Sequence, residues 1–147
     1  MIVDQETGEV TENAPTTVEL VPLNLAALNE DEIAGMFPTP MQCAAALLQA
    51  RGMIAQAPAV LAARSKAVKD AKRELIVARG YARQAANGRD AETRRLVAES
   101  DAEVLKAWDR IDTAELALEY ARERRKSLSE DIDILRSLNA NFRGEHR

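Results

Sequence analysis

Two long heptad runs facing each other across one tight turn constrain this chain more than any other feature. Before the turn Asn87-Gly88-Arg89-Asp90, residues Leu47, Ile54, Leu61, Val68, Leu75 and Ala82 recur seven apart. After it, Val97, Val104, Ile111, Leu118, Arg125, Ile132 and Asn139 do the same. The register sets a second seam position: Ala50, Ala57, Arg64, Ala71, Ala78 and Ala85 before the turn, then Ala107, Ala114, Ala121, Leu128, Leu135 and Phe142 after it. Large residues at one site and alanine at the other let two helix backbones approach closely. Counted outward from the turn, Leu75 falls near Val104, Val68 near Ile111, Leu61 near Leu118 and Leu47 near Ile132. The two halves therefore agree in register, and such consistency is what a foldable sequence shows. The pattern predicts an all-α fold: a long antiparallel helical hairpin, coiled-coil-like with an Ala-rich seam, with a short N-terminal helix and an acidic N-terminal arm.

Composition supports long helices over a thick globule. The 147 residues suit a single domain. Aromatic residues make up only 3%, too few to fill a deep core, and alanine takes their place. Between residues 59 and 143 there is no proline, and the only glycines are Gly80 and Gly88.

The predicted boundaries follow from local signals. Residues 1–28 read as an acidic, partly disordered arm, in which Ile2-Val3 and Val10 with Gly8 between them have the makings of a small hairpin. Residues 29–147 read as the hairpin domain. Asn29 is the predicted N-cap of a short helix over 29–37, with Asp31 and Glu32 in its first turn. Thr39, with Pro40 behind it and Gln42 three residues on, starts arm one over 40–86. Pro58 predicts either a kink or a break in that arm. The turn occupies 87–90, and arm two runs over 91–142, capped by Asp90.

Charge is segregated along the chain. Residues 1–38 carry eight acidic and no basic groups, a charge of −8. Residues 39–86 carry eight basic and two acidic groups, +6, and residues 87–147 carry twelve basic and fourteen acidic, −2. The basic part is concentrated towards the turn. Arg73, Arg79, Tyr81, Arg83, Arg89, Arg94 and Arg95 are the candidates there for holding nucleic acid or an acidic partner, since arginine grips phosphate and tyrosine stacks on bases. The competing reading is an ordinary solvated helix face, because no nucleic-acid fold signature accompanies them. Arg64 and Arg125, at seam sites, either fix register or let their long stems carry the charge out to water.

The segment from Ala44 to Ala63 is apolar nearly all round, and one partner helix cannot bury every face of it. Leu48, Met53 and Val60 lie off the seam. Either residues 18–37 fold over this end, or the chain self-associates there into a helical bundle. A second stripe, Leu105, Trp108 and Leu116 with Tyr120 beyond, reads as a docking strip for the N-terminal segment or a partner helix.

Chemistry is poorly provided for. His146 is the only histidine and Cys43 the only cysteine, which excludes an intramolecular disulfide and a cysteine-based zinc site. No Ser/His/Asp set, metal-ligand spacing or glycine-rich phosphate loop is present. The expectation is therefore no enzyme, no catalytic residue, no cofactor and no metal. The acidic N-terminus has no basic n-region, and the apolar run 44–63 is interrupted by Gln49, Arg51, Gln56 and Pro58, so a cytoplasmic location without a membrane span is expected.

The opening Met1-Ile2-Val3-Asp4-Gln5-Glu6-Thr7-Gly8-Glu9-Val10 resembles the start of many small phage and prophage early-region proteins. The Ala/Arg-rich hairpin is similar in architecture to coiled-coil accessory proteins of siphovirus recombination or replication gene clusters. That resemblance implies a viral or prophage protein acting near DNA metabolism. The leading expectation is a non-enzymatic adaptor that binds a protein of DNA replication, recombination or host defence. The alternatives are a nucleic-acid-binding accessory protein using the basic turn end, and a virion or assembly component.

Overall fold

A computed structural model describes residues 2–3, 10–11 and 19–145 of the chain. The fold is all-α. Among the described residues the helices are α1 (Glu30–Met36), α2 (Pro40–Ile54), α3 (Ala57–Ala85), α4 (Ala91–Glu99) and α5 (Ala102–Glu145). Two two-residue strands, β1 (Ile2–Val3) and β2 (Val10–Thr11), pair antiparallel with Ile2 opposite Thr11 and Val3 opposite Val10. Gly8 and the rest of the acidic arm before Glu19 lie outside the described residues. The chain divides into two compact units, one formed by residues up to 63 together with those from 121 onward, the other by residues 64–120.

In the first unit, α1 and α2 each begin on a side-chain cap. Asn29 Oδ1 accepts the Glu32 N–H at 2.8 Å, and Thr39 Oγ1 accepts the Gln42 N–H at 3.2 Å. Arm one is not a single helix. It breaks between Ile54 and Ala57, leaving Pro58 in the first turn of α3, where its missing N–H removes no helical hydrogen bond. Cys43, Leu47 and Ala50 of α2 pack with Ile132 and Leu135 of α5, and the Cys43 thiol donates to the Leu135 carbonyl at 3.5 Å. Ala57 and Val60 of α3 pack with Ala121 and Leu128 of α5.

Residues 19–28, expected to belong to the arm, form instead an ordered strap on this unit. Leu20 joins the Ala57–Val60–Leu128 cluster, while Leu25 and Phe37 join the Cys43–Leu47–Leu135 cluster. Their burial answers the all-round apolar character of residues 44–63: the chain covers much of that surface itself. Asn24 takes a left-handed conformation, φ 56°, which asparagine tolerates better than most residues. It sits between two strap amides aimed at one carboxylate: the Leu23 N–H donates to Asp131 Oδ2 at 2.7 Å and the Leu25 N–H to Asp131 Oδ1 at 2.8 Å. Arg124 Nη1 donates to the Leu20 carbonyl at 2.9 Å, and Met53 Sδ accepts the Val21 N–H at 3.1 Å.

In the second unit, Ala71, Leu75 and Ala82 of α3 pack with Ala98 of α4 and with Val104, Ala107 and Ile111 of α5. Cross-helix ion pairs run Lys72–Glu115, Glu74–Arg110 and Arg79–Glu99. Residue numbers rise on one side as they fall on the other, so within this unit the chain returns antiparallel to α3. Residues 86–90 connect α3 to α4. A side chain at Gly88 would meet Thr93 Cγ2 at 3.0 Å and the Arg94 backbone nitrogen at 3.1 Å, which reserves the position for glycine. Asp90 caps α4, its Oδ1 accepting the Thr93 N–H at 2.7 Å.

Arm two is also broken, which the heptad reading does not predict. Ser100 Oγ donates to the Val97 carbonyl at 2.8 Å, and Asp101 Oδ1 accepts the Glu103 N–H at 2.8 Å. Both side chains substitute for helical backbone hydrogen bonds, so α4 ends and α5 restarts. Heptad phase is lost across the break: Ala98 is buried, whereas Val97, the expected seam residue, is exposed. Of the two seam arginines, Arg64 is half-buried and Arg125 exposed.

Candidate functional site

The second unit leaves an unusual set of large apolar side chains in solvent, and the geometry of α3 sorts them onto two faces. At 100° per residue, Ile76, Arg79 and Arg83 share one face, and Val77 and Tyr81 share another. On the first face, the Arg79 guanidinium carbon lies 5.2 Å from the centroid of the Trp108 ring. Arg79 Nε sits 3.0 Å from Glu99 Oε1. That nitrogen is buried and has no aligned hydrogen-bond partner among the described residues, so its pairing with Glu99 is one of charge. Arg79 thus bridges three helices, α3, α4 and α5, and stacks on a tryptophan that remains 41% exposed.

Beside this face, Arg83, Ala91, Glu92, Arg94 and Arg95 line a shallow cleft of about 330 Å³. Three guanidinium groups there meet one carboxylate. Arg95 pairs with Glu92, and Arg94 Nη1 donates to the Gly88 carbonyl at 3.2 Å. Arg83 and, in the connection, Arg89 have no charged partner among the described residues.

The second face holds an open groove of about 600 Å³, in which Val77, Ala78 and Tyr81 are flanked by Arg73, Arg110, Glu74 and Glu103. Its charges are largely spent locally: Arg73 lies 3.7 Å from Asp70, Arg110 3.2 Å from Glu74, and Lys106 3.2 Å from Glu103.

The expected basic site is therefore divided. Arg83, Arg94 and Arg95 come together, and Arg79 joins Trp108. Tyr81, two residues from both Arg79 and Arg83 in sequence, points to the other face, about 160° away around α3 from either. A base stacked on Tyr81 would not have its phosphate in the arginine cleft. Arg73 is likewise on the Tyr81 side.

The expected interface at Leu48, Met53 and Val60 needs correction. Val60 is only 3% exposed, sealed by Leu20, and Met53 is half-buried with its sulfur engaged by the strap. Only Leu48, 69% exposed, remains available, with Met41 seven residues earlier on the same side of α2. Leu105, Trp108 and Leu116 are exposed, as is Tyr120. The described contacts of the strap lie within the first unit.

Sequence reasoning missed Ile76, Val77 and Leu96 as exposed apolar residues, and Asp131 as the strap's anchor. The heptad sites account for the apolar residues on one face, and these three lie off it, like Leu48, Leu105 and Leu116. Asp131 stands in Leu128-Ser129-Glu130-Asp131-Ile132-Asp133, where nothing distinguishes the buried carboxylate from its exposed neighbours until the strap is seen.

Elsewhere, α1 and α5 flank a groove of about 570 Å³ with Glu30, Asp31 and Asp133 around Ile33, Ile134 and Leu138. Among the described residues no group of three or more His, Cys, Asp or Glu side chains is placed to hold a metal ion. No described helix is long and apolar enough to cross a membrane. His146 lies outside the described residues. A scan against protein-family models finds no match, and neither does comparison with curated proteins or with solved structures.

Proposed function

We propose that this chain is a non-enzymatic helical interaction protein whose second unit presents the partner-binding surface. One observation carries the reading: Trp108 is exposed with the Arg79 guanidinium over its ring, amid further exposed Ile76, Leu96 and Leu105. Tryptophan and arginine dominate binding hot spots. The likeness of the N-terminus to phage early-region proteins supports a phage or prophage origin and a partner drawn from DNA replication, recombination or host defence. The test is co-purification from source cells with the full chain as bait. A discrete partner should be retained by wild type and by Leu48→Glu and lost with Leu105→Glu/Leu116→Glu. Retention by all three, or the same loss with Leu48→Glu, removes the reading.

A second reading, self-association, is favoured by the exposed pair Met41 and Leu48 on α2, a helix whose 15 residues include a single charge, Arg51. Light scattering on wild type and Leu48→Glu decides it: a mass that falls to the monomer in the variant supports it, and a monomer in both removes it.

A further inference from the structure

The cleft lined by Arg83, Arg94 and Arg95, next to the face that holds Trp108, points to the chemistry of the partner. We infer that this face binds an acidic amphipathic helix, its carboxylates held in the arginine cleft and its apolar side chains against Ile76, Leu96 and Trp108. The inference rests on the reading of the second unit as a partner surface and specifies which of its two faces is used and by what.

Charge complementarity selects the sign. Three arginines and one glutamate line the cleft. Arg95 is matched by Glu92, Arg94 by a neutral carbonyl alone, and Arg83 and Arg89 by no charged group among the described residues. Arg83, Arg94 and Arg95 line one cleft, where like charges repel unless an anion joins them, and each has donors left in a fork that fits a carboxylate. The Tyr81 face carries no such excess, since its arginines already pair with Asp70 and Glu74.

Neighbouring side chains select a protein over a nucleic acid. Ile76 is 68% and Leu96 62% exposed. Ile76 lies two helical turns from Arg83 on one face of α3, and Leu96 shares its face of α4 with Glu92 and Glu99, the partners of Arg95 and Arg79. Aliphatic side chains offer little to a phosphodiester backbone. They suit leucine-type anchors at i, i+3, i+4 and i+7, the spacing with which an amphipathic helix fills an apolar surface. Tyr81, the aromatic closest in sequence to these arginines, is on the other face and cannot stack a base held there; Trp108 is the stacking surface on this face, and oligothymidylate tests it.

Trp108, the only tryptophan, reports directly on the face. Its emission should be followed in the full-length protein during titration with three probes: a helical peptide with leucines at the spacing above and glutamates elsewhere, the same peptide with lysines for glutamates, and oligothymidylate. The glutamate peptide is expected to shift the emission to the blue. Its half-saturation should rise about tenfold or more in high salt and in Arg83→Glu/Arg94→Glu, and stay unchanged in Tyr81→Ala. No shift with the glutamate peptide overturns the inference. So does an equal shift with the lysine peptide, or saturation by oligothymidylate at a lower concentration. In the co-purification, loss of the partner with Leu105→Glu/Leu116→Glu but not with Arg83→Glu/Arg94→Glu overturns this inference and leaves the interaction reading standing. Retention through both pairs removes both.

Discussion

The buried carboxylate of Asp131 accepts the backbone N–H of Leu25 at 2.8 Å, across 106 residues of sequence. Asp131 is 1% exposed, and its other oxygen takes the Leu23 N–H. One side chain on α5 thereby satisfies two strap amides that burial of Leu20 and Leu25 would otherwise strand.

Asp131→Ala should therefore destabilise the first unit by about 3 kcal/mol, because hydrogen bonds to a charged group are lost and two amides are left without their acceptor. Asp131→Asn keeps one acceptor oxygen and should cost roughly half as much. Urea unfolding gives the magnitudes. Limited proteolysis should show cleavage within residues 19–28 appearing first in the alanine variant.

Val60 and Leu48 make a paired test of the corrected apolar end. Val60→Glu places a charge in the Leu20–Ala57–Leu128 cluster and should cost several kcal/mol, enough to threaten folding. Leu48→Glu lies in solvent and should change stability by less than about 0.5 kcal/mol. Thermal melts of the two variants check the contrast.

Much of the seam was legible because its signal is local and periodic. Leu47, Val68, Leu75, Val104, Ile111 and Ile132 are all buried, and the caps at Asn29, Thr39 and Asp90 follow from residue type alone. Pro58 announced an interruption without choosing between a kink and a break. The interruption at Ser100 and Asp101 went unread because polar residues on an exposed helix face look the same whether or not they bond to the backbone. The strap was half legible: an all-round apolar helix demands a cover, but the identity of its anchor depends on a contact more than 100 residues away. At the candidate site, sequence proximity grouped Tyr81 with Arg79 and Arg83, and helical geometry separates them.

Cys43 gives a prediction in pH. Burial pushes its thiol pKa above the ordinary value, so the folded state holds the proton more tightly than the unfolded chain. The resulting contribution to stability is full below the unfolded thiol pKa and is lost as pH rises through the folded one. A water-soluble disulfide reagent should react slowly with the native protein at neutral pH and rapidly in urea. Fast reaction under native conditions would contradict the buried placement.

Asp90 shifts the other way. The Thr93 hydroxyl and backbone N–H lower its pKa below the ordinary aspartate value. Its capping contribution is present above the unfolded aspartate pKa and is lost as pH falls through the folded one. Amide exchange at Thr93 should accelerate over that acid range, and Asp90→Ala should show the faster exchange already at neutral pH.

The central claim, that the second unit binds a partner through its exposed apolar side chains, is tested most directly by photocrosslinking in source cells. A photoreactive residue is placed in turn at Leu105, at Leu116 and, as control, at Leu48. The account predicts one discrete adduct of the same mass from positions 105 and 116 and none of that mass from position 48. Adducts of equal yield from all three positions, or none from 105 and 116, would contradict it.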